Sequence, residues 1–134
     1  MWRFVFGLLV AVGTVLLVQL PSSHAWPESC GNNKTHNFSW GKRGYYDRLM
    51  YSVEEVKASS FLRKLSYDVT IPPKGTPQKG AITYLEVLDR YTDGNGGCAY
   101  LNGGGIGFRN VTLHIKSQRN KGVNFVINVY GLFN

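Results

Sequence analysis

The sequence has few of the residues on which catalysis and metal binding usually depend. Its 134 residues include two cysteines, three histidines and eight acidic residues. None of them forms a motif with the spacing of a known nucleophile–base pair or metal site. The chain also lacks internal repeats and coiled-coil heptads, which excludes solenoids and long helical rods. We therefore expect a protein without catalytic residues, metal ligands or a cofactor, and not an enzyme.

A long apolar run occurs only at the N-terminus. Residues 4–20 are almost wholly apolar and follow the basic Arg3. Ser23 and Ala25 then supply small residues at the −3 and −1 positions of a signal-peptidase site, which is the order of a secretory signal. The run is also close to the roughly 17-residue lower limit for a membrane span, but no basic cluster follows it. We predict cleavage after Ala25, secretion to the extracellular space and no membrane span after cleavage.

The remaining 109 residues are the size of one ordinary domain and carry a net charge of +6 once Arg3 is removed. The predicted organisation is a signal peptide at 1–25, an extended N-terminal arm at 26–43 and a β domain at 44–134.

Both cysteines, Cys30 and Cys98, lie in the mature chain. In an oxidising compartment an even pair favours a disulfide, and two free thiols are the alternative. A loop of this length would stabilise the fold by about 4 kcal/mol if the native bond is unstrained. The secretory route also makes the sequons at Asn33, Asn37 and Asn110 candidate glycosylation sites.

Alternating apolar and polar residues predict strands. The clearest are 109–116 and 122–130, which we predict to form a hairpin across the polar connector 117–121. Further candidates are 45–53, 64–71 and 97–101, and 81–88 is apolar on both faces, as in a central strand. Ser52 and Glu55 have the spacing of a capping box, which predicts a turn or two of helix. The whole pattern predicts a single small all-β domain, β-sandwich-like, with antiparallel sheets of about six to seven strands.

Two segments resemble ligand-binding motifs, but neither has all the features that its motif requires. The glycine-rich stretch 103–107 precedes a strand and not a helix, so it predicts a tight loop with positive φ angles and no phosphate site. Residues 89–97 resemble the start of a calcium loop. Tyr91 and Tyr100 occupy positions where oxygen ligands are required, so this segment predicts a turn between strands.

The excess of basic residues indicates a possible binding function. Arg109, Lys116, Arg119 and Lys121 lie on or near the last two predicted strands. Such a patch would attract an extracellular polyanion, although the same charges also serve simply to keep a sheet edge soluble. Neither His36 nor His114 has a recognisable catalytic partner in the sequence, and we expect both on the solvated surface.

The chain resembles the insect family of probable salivary secreted peptides, whose founding member is described as multiprotein bridge factor two, a transcription activator. The segments that carry the resemblance are GCAYLNGGGIG (97–107), NVTLHIKSQR (110–119), GVNF (122–125) and VYG (129–131), with further likeness at 48–52, 61–64 and 89–93.

The resemblance implies one of two functions. The first is a secreted extracellular protein that binds a polyanion or another protein; the second is a transcription-bridging coactivator. The signal peptide favours the first, for which no nucleic-acid partner is expected. The family supplies no catalytic residues to carry over.

The signal peptide can be tested directly. Protein expressed from the full sequence and collected from the medium should begin at Trp26, because the apolar run directs export and Ala25 ends the cleavage site. N-terminal sequencing or intact mass spectrometry checks this. A stable nuclear or cytosolic protein that retains Met1 would contradict it.

Overall fold

The structure is a computed structural model that describes Cys30 and residues 33–133. The predicted signal peptide and the start of the predicted arm lie outside the described residues. The elements found within them are all strands: β1 (Phe38–Gly41), β2 (Arg48–Lys57), β3 (Ser66–Ile71), β4 (Gly80–Asp89), β5 (Cys98–Gly104), β6 (Val111–Lys116) and β7 (Val123–Phe133). A search of these residues for a helix that could cross a membrane finds none.

The strands form two antiparallel sheets. One has the order β1-β4-β7-β2 and the other the order β3-β6-β5. Buried side chains from both sheets belong to a single apolar cluster. The prediction of an all-β domain with two antiparallel sheets and six to seven strands is confirmed.

Strand β7 is the centre of the larger sheet, since it pairs with β4 on one side and β2 on the other. Its alternating residues are completely buried, as the sequence pattern predicts, and so are those of β6. The buried set on these two strands is Val123, Phe125, Ile127 and Val129 with Val111, Leu113 and Ile115. Each such side chain contributes roughly 1.5–3 kcal/mol by leaving water, so these two strands supply a large part of the core.

The predicted hairpin between the last two strands is wrong. β6 pairs with β3 and β5, whereas β7 belongs to the other sheet. Ser117 in the connector donates its backbone N–H to the Leu65 carbonyl at 2.9 Å, so the connector is held by the β2–β3 loop. Alternation shows only that one face of a strand is buried, and it does not say whether the next strand lies beside it or across the core.

The predicted helical turn at Ser52 is also wrong, because these residues continue β2. Ser52 lies opposite Asn128 of β7 and donates its hydroxyl proton to the Asn128 Oδ1 at 2.8 Å. The capping-box pattern is a local preference, and the pairing of β2 with β7 from Val123 to Gly131 overrides it.

Strand β1 lies inside the stretch that the sequence predicts to be an extended arm. It pairs with β4, and Phe38 and Trp40 pack against the core. Four residues are too few to show a period.

The disulfide between Cys30 and Cys98 is confirmed, with the two Cα atoms 5.2 Å apart. The bond attaches the start of the described chain to β5.

The glycine-rich loop is confirmed as a tight connection between β5 and β6. Gly105 has φ of +104° and Gly107 has φ of +86°, a region that residues with a side chain rarely adopt. Gly105 accordingly donates its N–H to the Asn110 carbonyl at 2.9 Å and closes the loop.

The core can be tested at Phe125. Phe125→Ala removes a completely buried ring and should lower the free energy of unfolding by about 3–5 kcal/mol, measured by urea denaturation. Phe61→Ala is the matched control, because Phe61 is 85% exposed and its loss should change stability little. Equal effects of the two substitutions would contradict this core.

Candidate binding surface

Three loops cross from one sheet to the other at the same end of the sandwich. They are the β2–β3 loop (58–65), the β4–β5 loop (90–97) and the connector between β6 and β7 (117–122). We call this surface the basic end. Its name comes from the basic side chains on or next to two of these loops, which are Arg63, Lys64, Lys116, Arg119 and Lys121.

Hydrogen bonds hold the β2–β3 loop and the connector together. Asn120 donates its backbone N–H to the Arg63 carbonyl at 3.1 Å, and Arg119 donates from Nη1 to the Leu62 carbonyl at 2.8 Å. Asn120 also has φ of +62° in the turn that the Lys121 N–H closes to the Gln118 carbonyl. Two loops far apart in sequence therefore present their basic side chains on one surface.

The structure brings together three of the four residues that the sequence predicts as a patch. Lys116, Arg119 and Lys121 lie at the basic end, with Arg119 and Lys121 exposed and Lys116 half-buried. Arg109 lies in the β5–β6 loop, beyond the opposite end of β6. A six-residue strand spans about 20 Å, twice the screening length at 0.1 M salt, so Arg109 belongs to a different surface.

A cleft of about 290 Å³ opens at the basic end, between the connector and the β4–β5 loop. Its lining combines an aromatic ring, amides, a carboxylate and an ammonium group. The lining residues are Ser59, Tyr91, Asp93, Asn95, Asn120, Lys121 and Gly122. A concave site with an aromatic ring and several hydrogen-bonding groups suits a polar ligand.

Asp93 gives the cleft a fixed negative charge. Its Oδ1 accepts the backbone N–H of Asn95 at 3.0 Å, and its Oδ2 accepts the Asn95 side-chain amide at 2.9 Å. These bonds, and to a smaller degree the nearby Lys121 ammonium, hold the pKa of the Asp93 carboxyl below its ordinary value. The carboxylate is therefore ionised at neutral pH and offsets part of the positive charge beside it.

A buried polar cluster fixes the β4–β5 loop from behind. His36 is 4% exposed and Asp89 is 7% exposed. The His36 backbone N–H donates to Asp89 Oδ2 at 3.0 Å, and His36 Nδ1 lies 3.2 Å from the carbonyl oxygens of Gly96 and Gly97. The expectation of a surface His36 is wrong, because its partners lie more than fifty residues away and leave no local signal in the sequence.

The expectation for His114 is correct in placing it on the outward face of a strand, but its side chain is less solvated than expected. The His114 side chain is 13% exposed and lies on the outer face of the three-stranded sheet. Its Nδ1 is 2.8 Å from Asp68 Oδ1, and its Nε2 is 2.9 Å from Ser66 Oγ. Only the register of β3 against β6 brings these residues together, and the alternation of Ser66 and Asp68 on β3 was the available signal.

The candidate glycosylation sites Asn33, Asn37 and Asn110 are all exposed, as an attached glycan requires. Asn37 Oδ1 accepts the Asp89 backbone N–H at 2.8 Å. Glycosylation itself stays a prediction.

Across the part of the chain that the structure describes, histidine, cysteine and acidic side chains do not group in threes as a metal site would need.

Comparison with known proteins identifies a matching family and a named relative. The family model described as "Transcription activator MBF2" matches residues 40–131, from β1 to β7. A relative named "Probable salivary secreted peptide", from Bombus ignitus, is 39% identical over 101 residues, which is 75% of this chain and 73% of the relative. No solved structure matches the chain.

Proposed function

The chain belongs to the MBF2 family, as its sequence resemblance predicts, and we propose that it is a secreted protein that binds an extracellular polyanion through its basic end. Two observations support secretion. The Bombus ignitus relative is named a secreted peptide. Cys30 and Cys98 are bonded, and disulfides persist in secreted proteins and are rare in the cytosol and nucleus.

The observation that carries the binding proposal is the convergence of basic residues on two hydrogen-bonded loops. Arg63 and Lys64 come from one loop, and Arg119 and Lys121 come from the other. A positive surface of this kind raises the local concentration of an anionic ligand and its association rate. The guanidinium groups can also donate paired hydrogen bonds to sulfate or carboxylate groups. Sulfated glycans combine both features, and the proposed role requires no chemical step.

A second candidate is the role in the family description, a transcription activator. The disulfide argues against it, because the reducing nucleus does not maintain such bonds. Fractionation of cells expressing the full sequence separates the two candidates. Protein in the medium supports secretion, and accumulation in the nucleus with free thiols supports the activator role.

Removal of two charges from the basic end should weaken polyanion binding. We expect Arg119→Ala with Lys121→Ala to elute from heparin at lower salt than the wild type. Lys74→Ala with Arg109→Ala is the matched control, since it removes the same charge from loops at the opposite end. Its elution should stay closer to that of the wild type.

Retention of the wild type should also fall steeply with salt, because exposed charges are screened over about 10 Å at 0.1 M. Equal shifts in the two double variants would mean that only net charge matters, which contradicts a localised site. Circular dichroism of each variant checks that the fold is unchanged.

Removal of the negative charge from the cleft should have the opposite effect. Asp93→Asn keeps the size of the side chain and abolishes the carboxylate beside Lys121, so retention on heparin should increase. Asp93→Glu is the control, because it preserves the charge and alters the turn. If Asp93→Glu increases retention as much as Asp93→Asn does, the shape of the loop and not its charge controls binding.

A further inference from the structure

Three polar side chains on the outer face of the smaller sheet are arranged in the order nucleophile, base and carboxylate. Ser66 and Asp68 are two residues apart on β3, so both side chains lie on the same face. His114 is the cross-strand partner of Asp68 on β6. The imidazole spans the two, 2.9 Å from Ser66 Oγ and 2.8 Å from Asp68 Oδ1.

The hydrogen bonds select the tautomer that a general base requires. An ionised Asp68 only accepts, so Nδ1 of a neutral His114 carries the proton and Nε2 is left to accept the Ser66 hydroxyl proton. The Asn102 amide donates to both Asp68 oxygens at 3.3 Å and helps to fix the carboxylate. A histidine oriented by a carboxylate and bonded to a serine is the arrangement of a hydrolytic triad.

Ser66 is more accessible to solvent than His114, as expected for a nucleophile and the base that serves it. Ser66 is exposed, so a substrate can reach its hydroxyl. The His114 side chain is 13% exposed and lies beside the Tyr100 ring, with the ring centroids 6.4 Å apart. The base is therefore largely shielded, and the nucleophile is open to solution.

We propose that Ser66 is the nucleophile and His114 the general base of a site that hydrolyses small carboxylic esters with good leaving groups, with Asp68 as the positioning residue. This activity goes beyond polyanion binding and departs from the expectation of a protein without catalytic residues. Lys116 is the cross-strand partner of Ser66 and supplies positive charge for the carbonyl oxygen. Because Ser66 is exposed and a substrate bound there stays in contact with water, the leaving group must be one that departs easily.

The reaction balances with water as the second substrate. Ser66 Oγ bonds to the carbonyl carbon while its proton moves to His114 Nε2. The carbon–oxygen bond to the leaving group then breaks, and that oxygen takes the proton from Nε2. Water attacks the acyl-serine, with His114 accepting and returning its proton, and the acid and free Ser66 are released.

The test combines covalent labelling with turnover. Purified secreted protein is treated with a fluorophosphonate probe, and the label is located by mass spectrometry; separately, release of 4-nitrophenolate from 4-nitrophenyl acetate is followed. We expect the label on Ser66 and release of 4-nitrophenolate above the uncatalysed background. Ser66→Ala and His114→Gln should each lose the label and at least about tenfold in rate.

Asp68→Asn tests positioning. An Asn side chain can donate to Nδ1 and so favour the wrong tautomer, which should lower the rate at least about tenfold and change its pH profile. Ser52→Ala is the matched control, because Ser52 is an exposed serine on the other sheet that bonds to Asn128 and not to a histidine. It should keep full labelling and rate.

A missing label, a label elsewhere, or a Ser66→Ala rate equal to that of the wild type would overturn the proposal. Heparin retention of Ser66→Ala should equal that of the wild type, which separates failure of this site from failure of the basic end and confirms that the variant is folded.

Discussion

The burial of the apolar face of β7, which includes Phe125, is the interaction on which the other features depend. β7 pairs with β2 from Val123 to Gly131 and with β4 from Phe125 to Phe133, so its backbone N–H and C=O groups find partners within one sheet. Its buried side chains still need apolar partners, and only a second sheet can supply them. The matching face of β6 belongs to that second sheet, which is why the last two strands lie in different sheets and do not form a hairpin.

This arrangement determines where the loops lie. When consecutive strands belong to different sheets, each connection must cross the end of the sandwich. Three such crossings fall at the basic end, from β2 to β3, from β4 to β5 and from β6 to β7. Crossing loops have backbone groups that no strand satisfies, and here they satisfy one another, as the Asn120–Arg63 bond shows. The cleft and the basic side chains follow from that crossing, whereas Arg109 lies at the other end because it follows β5.

The sequence predicted the features that depend on local pattern or on a forced choice. Local patterns located six of the seven strands, alternation indicated the buried residues of β6 and β7, and an even pair of cysteines favoured a single disulfide. These patterns missed features that depend on contacts distant in the chain. His36 is buried because Asp89 and the carbonyls of Gly96 and Gly97 surround it, and nothing near His36 records them. β1 was missed because four residues show no period. Residues from Ser52 onward were predicted as helix because the capping motif is visible in the sequence, whereas the pairing of β2 with β7 is not.

β6 shows how one short strand serves the core and both proposed sites. In Val-Thr-Leu-His-Ile-Lys the first, third and fifth side chains are completely buried, and the other three are half-buried on the opposite face. The pleat therefore holds His114 against Ser66 and Asp68 while its neighbours on either side anchor the strand in the core. Lys116 ends the strand and leads into the connector, next to the basic loops. A one-residue slip of β6 against β3 would expose Leu113 and turn His114 inward, so the core that specifies the register also specifies the geometry of the triad. The outer face is thus positioned by the apolar residues beneath it.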